Sequence, residues 1–218
     1  MVFRSRSRRP GPLRFFWYVS DTKLDMLLSQ VGEPAWRRVT AELDVDVKLV
    51  GLKLGFPNPD RSLAERSRAA KVLVVEECIR QRHGIGDLSA SRGYVAGETE
   101  MAWRPCTDGE TVLFSGHADD VLITLGGSVG NLLGHPPDTG HTGSHPYAIR
   151  AALADGGTAH DIATDVRAAA AAIDGTPAQP VRFLALVISR GPLPVGAAHP
   201  DYLLATPLYV EAAGDPGL

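Results

Sequence analysis

The chain has 218 residues, 44% of them hydrophobic and 22% charged, which is long enough to bury a core without disulfide or metal staples and fits a single domain. The formal net charge of −3 is uneven: residues 1–14 hold five arginines (Arg4, Arg6, Arg8, Arg9, Arg14) and no acid, so the remainder stands at −8. A body this acidic has no electrostatic footprint for the phosphate backbone of a nucleic acid, and no apolar run approaches a membrane span.

Residues 1–13 read as a disordered basic tail, 14–212 as one globular domain and 213–218 as a disordered C-terminus. Nucleic acid could be drawn only by the tail. Cys78 and Cys106 have neither metal nor redox spacing, and free thiols fit a reducing cytoplasm.

Residues 14–20 (RFFWYVS) are aromatic and β-branched, a strand signal. Asp21 can cap the helix that follows, whose apolar face is Leu24, Leu27, Leu28 and Val31, with Gly32 and Pro34 as its stop. Residues 43–50 alternate as a half-buried strand, Leu43, Val45, Val47 and Leu49 on one side and Asp44, Asp46 and Lys48 on the other. Ser62-Leu63-Ala64-Glu65 is a capping box, opening a helix that runs to about His83 and stops at Gly84. Residues 93–103 form a strand with Val95, Thr99, Met101 and Trp103 on one face.

Residues 112–115 and 121–125 are two more strands, joined by a turn over residues 116–120. Residues 134–146, dense in Pro, Gly, Asp and His, read as a loop, and residues 146–153 and 158–173 read as helices. The run 181–189 (VRFLALVIS) has the near-continuous apolar character of a strand buried on both faces. Residues 202–211 form the last strand, placed at an edge because Pro207 interrupts it. Expected core residues are Phe16, Leu27, Val45, Val47, Val75, Phe114, Ile123, Leu184, Leu186 and Val187.

Chemistry-bearing residues concentrate between 112 and 135. His117-Ala118-Asp119-Asp120, followed by Gly126-Gly127, resembles the motif of zinc-dependent deacetylases of the N-acetylglucosaminyl-phosphatidylinositol de-N-acetylase type. The resemblance implies His117 and Asp120 as zinc ligands and Asp119 as the base that takes a proton from metal-bound water. Ala118 stands where those enzymes carry proline and Val121 where they carry an acid, and the likeness covers about eleven residues. Read as architecture, the same segment is a β-hairpin with Gly and Asp in its turn, and that reading is preferred.

Gly126, Gly127, Ser128 and Asn131 form a glycine-rich run that could cradle a cofactor phosphate, yet it is neither a P-loop nor G-x-G-x-x-G; a turn after a strand is the preferred reading. His135, His141 and His145 fall in the loop, where their spacing fixes no ligand geometry. No G-x-S-x-G elbow is present.

The segments FFWYVSDTKLDML near the start, LGGS in the centre and TPLYV near the end resemble a family of uncharacterised actinobacterial proteins. That resemblance implies an actinobacterial cytosolic protein, in keeping with 18 arginines against 4 lysines, and implies no activity. Taken together, the chain is expected to be α+β: a mixed, mainly antiparallel sheet of about seven strands, with about four helices packed largely on one face. The expected function is a non-enzymatic binding or regulatory module with no cofactor and no metal. Its partner is a protein, or a small ligand in a cleft near the Gly126–Asn131 turn, and the strand at 202–211 offers a homodimer edge. The alternatives are a zinc amide hydrolase using His117, Asp119 and Asp120, and nucleic-acid contact through the Arg-rich tail.

Overall fold

The computed structural model describes residues 14–31, 68–106, 108–133, 162–173 and 175–213. Its elements in chain order are β1 (Phe16–Val19), α1 (Asp21–Ser29), α2 (Arg68–Arg82), β2 (Tyr94–Pro105), β3 (Thr111–Ala118), β4 (Val121–Ser128), one turn of 3-10 helix (Val129–Asn131), α3 (Ile162–Ile173), β5 (Gln179–Pro192) and β6 (Asp201–Ala212). The strand order is β1-β6-β4-β3-β2-β5, and β5 pairs back onto β6, so the sheet closes into a barrel. All pairs are antiparallel except β4–β6.

The fold is therefore mixed α+β with a mainly antiparallel sheet, but the described residues hold six strands and three α-helices, against about seven and four expected. The strand read at 43–50 and the helix read at 146–153 lie outside the described residues. The helices do not share one face. α1 and α2 pack together on one outer flank, against Phe16, Leu184, Leu208 and Tyr209, whereas α3 packs on another, against Leu113, Leu122 and Leu204.

Alternation along each strand separates the barrel interior from these flanks. Val112 and Phe114 on β3, Ile123 and Leu125 on β4, and Val181, Phe183 and Ala185 on β5 point inward, with Leu203, Ala205 and Val210 on β6. The switch from odd to even positions on β6 is a bulge: Leu184 pairs with Tyr209 and Ala185 with Pro207. The extra residue lets consecutive Leu208 and Tyr209 both face the α1–α2 flank. Of the expected core, Phe16, Val75, Phe114, Ile123 and Leu184 are buried, Leu27 and Val187 are partly buried, and Leu186 is 37% exposed. β5 is thus covered on its outer side only in part. Val45 and Val47 lie outside the described residues.

Pro207 does not mark an edge. β6 pairs with β5 along one side, and along the other with β4 as far as Ala205 and with β1 from Tyr209 onward. Pro207 falls in the gap between those two partners, where no ladder hydrogen bond is required of it. With both sides taken, this strand offers no edge to a second copy.

Gly126 and Gly127 lie within β4, not in a turn. Gly127 pairs with Val112 on the adjacent strand, and a Cβ there would run into the Tyr18 phenol, 2.6 Å from Cζ. Tyr18 fills the barrel interior edge-on to Phe114, with ring centroids 5.9 Å apart, and its hydroxyl accepts from Asn131 Nδ2 at 3.2 Å. The glycine makes room for a ring that arrives from the other end of the chain. The β3–β4 turn is two residues, Asp119-Asp120, with Asp119 at φ 49°. Gly84, with φ 72°, ends α2 as expected, its N–H donating to the Ile79 carbonyl at 3.0 Å.

Ser20, rather than Asp21, occupies the N-cap of α1, and Asp21 in the first turn pairs with Arg68 at 2.5 Å. Arg14 belongs to the fold and not to the basic tail. Its guanidinium lies over the Phe16 and Tyr209 rings at 5.0 and 4.9 Å and pairs with buried Glu211 at 2.5 Å and with Glu76 at 3.3 Å. Burial is the largest single influence and opposes its charge, but the hydrogen bond to Glu211 together with the charges of Tyr209, Glu211 and Glu76 outweighs it and holds its pKa above the ordinary value. Lys23 of α1 donates to the Thr206 hydroxyl and, at 3.2 Å, to the Pro207 carbonyl, and burial pushes its pKa down to about 8.

Two predictions follow from this packing. Gly127→Ala should destabilise the protein by about 1–3 kcal/mol through overpacking, and the loss should be smaller in a Tyr18→Phe background, which removes the hydroxyl the new Cβ meets; a double-mutant cycle in urea measures the coupling. For Lys23, the folded value lies below the ordinary 10.5, so the unfolded chain holds more protons between about 8 and 10.5 and stability should rise with pH across that window. This contribution is complete above about 10.5 and is lost as pH falls through about 8. Tyr209, pushed up by burial, acts in the opposite sense above its ordinary value of 10. The comparison is therefore wild type against Lys23→Met by urea denaturation on the two sides of the window, and Lys23→Met should lose the rise.

Candidate functional site

The barrel interior is occupied by side chains, and an open cleft lies outside it. Strand alternation sends Glu100 and Ala102 of β2, Ser115 and His117 of β3 and Leu122 of β4 to the outer face, where α3 crosses over them. Ladder partners set these residues in rows. Ala102 lies opposite Ser115, Ser115 opposite Thr124, and Thr124 opposite Leu204; one step along, His117 lies opposite Leu122 and Leu122 opposite Tyr202. Gly116 lets β2 approach, because a Cβ there would strike the Glu100 carbonyl.

α3 is the Ala-rich segment of the chain, and its short side chains do not fill the space above this face. A cleft of about 400 Å³ remains, closed at one end by the β5–β6 connection with Leu193 and His199. That volume falls within the range of small-molecule sites.

The cleft is lined mainly by apolar groups and holds a few polar ones. Ser115 is 8% exposed, and among the described residues its hydroxyl has no hydrogen-bond partner. Across the ladder the Thr124 hydroxyl is fully buried and also without a partner among the described residues. The His117 ring stacks on His199, with centroids 5.0 Å apart and planes at 27°, while the His117 carbonyl accepts from Thr99 Oγ1 at 2.6 Å. Arg167 of α3 and Glu100 line the rim, and neither forms an ion pair among the described residues.

Of the residues singled out in the sequence, His117 lies in this cleft, but Asp119 and Asp120 form the exposed hairpin turn. The Asp120 carbonyl accepts from the Asp201 N–H at 3.4 Å. Among the described residues no three His, Cys, Asp or Glu side chains come together as a metal site. Gly126, Gly127, Ser128 and Asn131 are buried in or beside the barrel wall, and Gly127 and Asn131 hold Tyr18 there. His135, His141 and His145 lie outside the described residues.

Sequence reasoning missed Ser115, Arg167, His199 and Glu100 as a group. The legible signal was the Ala168–Ala172 run, a helix face too small to fill the space over a sheet. Burial pushes the Cys78 thiol up, away from the thiolate a nucleophile needs.

Among the described residues, no helix is long and apolar enough to cross a membrane. No curated protein and no solved structure shows a significant match to the chain. One family model does match, over residues 14–214, which takes in every element above, and the chain belongs to that family of unknown function, DUF7019.

Proposed function

We propose that this chain is a non-enzymatic binding module that takes a small ligand in the cleft between α3 and the barrel wall. The observation that carries the reading is Ser115, a residue only 8% exposed that lines the cleft and whose hydroxyl has no hydrogen-bond partner among the described residues. A buried polar group is ordinarily satisfied, and one facing an open cleft is satisfied by whatever occupies it. The site is the α3 cleft and not the Gly126–Asn131 segment, which is buried against Tyr18. The reading is of binding because the cleft joins apolar lining to a few polar groups, the composition of a small-molecule site. The two free cysteines, Cys78 and Cys106, support a cytoplasmic location.

Ala170 lines the cleft from α3. Ala170→Trp should fill the space while leaving the fold intact, as judged by circular dichroism and thermal unfolding. Calorimetric titration with indole, benzoate, benzylamine and adenine, which differ in charge and edge chemistry, should show binding of at least one to the wild type. The variant should weaken that binding by about tenfold or more, a change of about 1.4 kcal/mol. A wild type that binds none of them, or a variant that binds as tightly as the wild type, overturns the reading.

A further inference from the structure

We infer that the α3 cleft is built for a neutral planar heterocycle whose edge carries both hydrogen-bond donors and acceptors, a ring of the nucleobase kind. The inference rests on the binding reading above and adds the chemistry of the ligand. Shape comes first. Ala170, Ala171 and Ile173 line the cleft from the helix, and Ala102 and Leu122 line it from the sheet, so apolar side chains meet a ligand from both sides. Apolar walls suit the faces of a ring. At the mouth of the cleft His117 and His199 are already stacked, which presents imidazole faces to a further ring.

Charge narrows the class. Arg167 and Glu100 line the same cleft with opposite signs, and among the described residues neither is neutralised. On the other flank the charges are committed: Arg68 to Asp21, Lys71 to Asp25, Arg80 to Glu76 and Glu77. An anion entering the cleft gains Arg167 and meets Glu100; a cation gains Glu100 and meets Arg167. A neutral ring with a donor and an acceptor on its edge can use both.

The floor removes the remaining alternative, a purely apolar ring. Covering Ser115 with hydrocarbon leaves its hydroxyl buried and unpaired, a loss of about tenfold or more in affinity. Thr124, fully buried beside it, already lacks a partner among the described residues, so no neighbouring hydroxyl relieves that loss. Ser115 both donates and accepts, and so matches either kind of edge atom.

The test is the ranking of the same four probes on the full chain at neutral pH. Adenine should bind more tightly than indole by about tenfold, and more tightly than benzoate and benzylamine. Ser115→Ala should narrow the gap from both sides, weakening adenine and strengthening indole, a reversal that general damage to the fold would not produce. His117→Ala, at an exposed position, should weaken adenine by about three- to tenfold without changing the melting temperature. Benzoate, benzylamine or indole binding more tightly than adenine, in a manner abolished by Ala170→Trp, overturns the ligand class and leaves the cleft reading standing. Adenine binding that is indifferent to Ser115→Ala also overturns the inference, and failure of all four probes overturns both readings.

Discussion

β6 hydrogen-bonds to β5 along one side and to β4 and then β1 along the other, so the sheet closes with five strands in its ring and β1 completing the wall. A ring this small encloses only side chains. Tyr18, Phe114, Phe183, Met101 and Leu125 are among those that fill it. Closure thus has two consequences. It gives each of the five ring strands a neighbour on both sides, and it fills the interior with side chains, so an open cleft lies on the outer surface of the barrel.

Both flanks of the barrel are covered by helix, but in different ways. α1 and α2 meet the wall with large aliphatic side chains, Leu24, Leu28, Val72, Val75 and Ile79, packed against Phe16, Leu184, Leu208 and Tyr209. Arg14 closes that layer between two aromatic rings and two carboxylates. α3 covers Leu113, Leu122 and Leu204 with Ala163, Val166, Ala169 and Ile173, and leaves open the part that lies over Ser115. The first flank uses its polar groups to fix the helices. On the second, Ser115, Thr124, Glu100 and Arg167 have no hydrogen-bond or ion-pair partner among the described residues, so the two flanks of one fold differ in how their polar groups are engaged.

The local half of this architecture was legible in the sequence. The apolar runs at 112–115 and 121–125 identified two strands, a turn was read between them over 116–120, of which only Asp119-Asp120 is the reversal because β3 runs on to Ala118, and Gly84 marked the end of α2; each signal acts within a few residues. The non-local half was not. Pro207 reads as an edge residue if only its missing N–H is considered; that two strands share one side of β6, with a gap at Pro207, is a property of the whole topology. Gly126-Gly127 reads as a turn because the ring that needs the space comes from Tyr18, near the opposite end of the chain. The same limit hid the cleft. Ser115 comes from β3, Arg167 from α3 and His199 from the β5–β6 connection, and no spacing along the chain links them.

Two of the three glycines of the β3–β4 hairpin, Gly127 and Gly116, show how one local feature serves opposite ends. Gly127 faces inward, and its missing Cβ is filled by the Tyr18 ring, so the space is used up within the protein. Gly116 lets the β2 backbone come close, which brings Glu100 alongside His117 at the rim of the cleft. One glycine makes room for a core ring and the other for the backbone of a neighbouring strand. Sequence alone gives them the same letter. What distinguishes them is the element packed opposite: an aromatic ring held by Asn131 in the first case, and a neighbouring strand under a helix of alanines in the second. The space left over Ser115 therefore follows from the pairing of small residues on α3 with close-packed strands beneath, and among the described residues the hydroxyl that lines it has no partner.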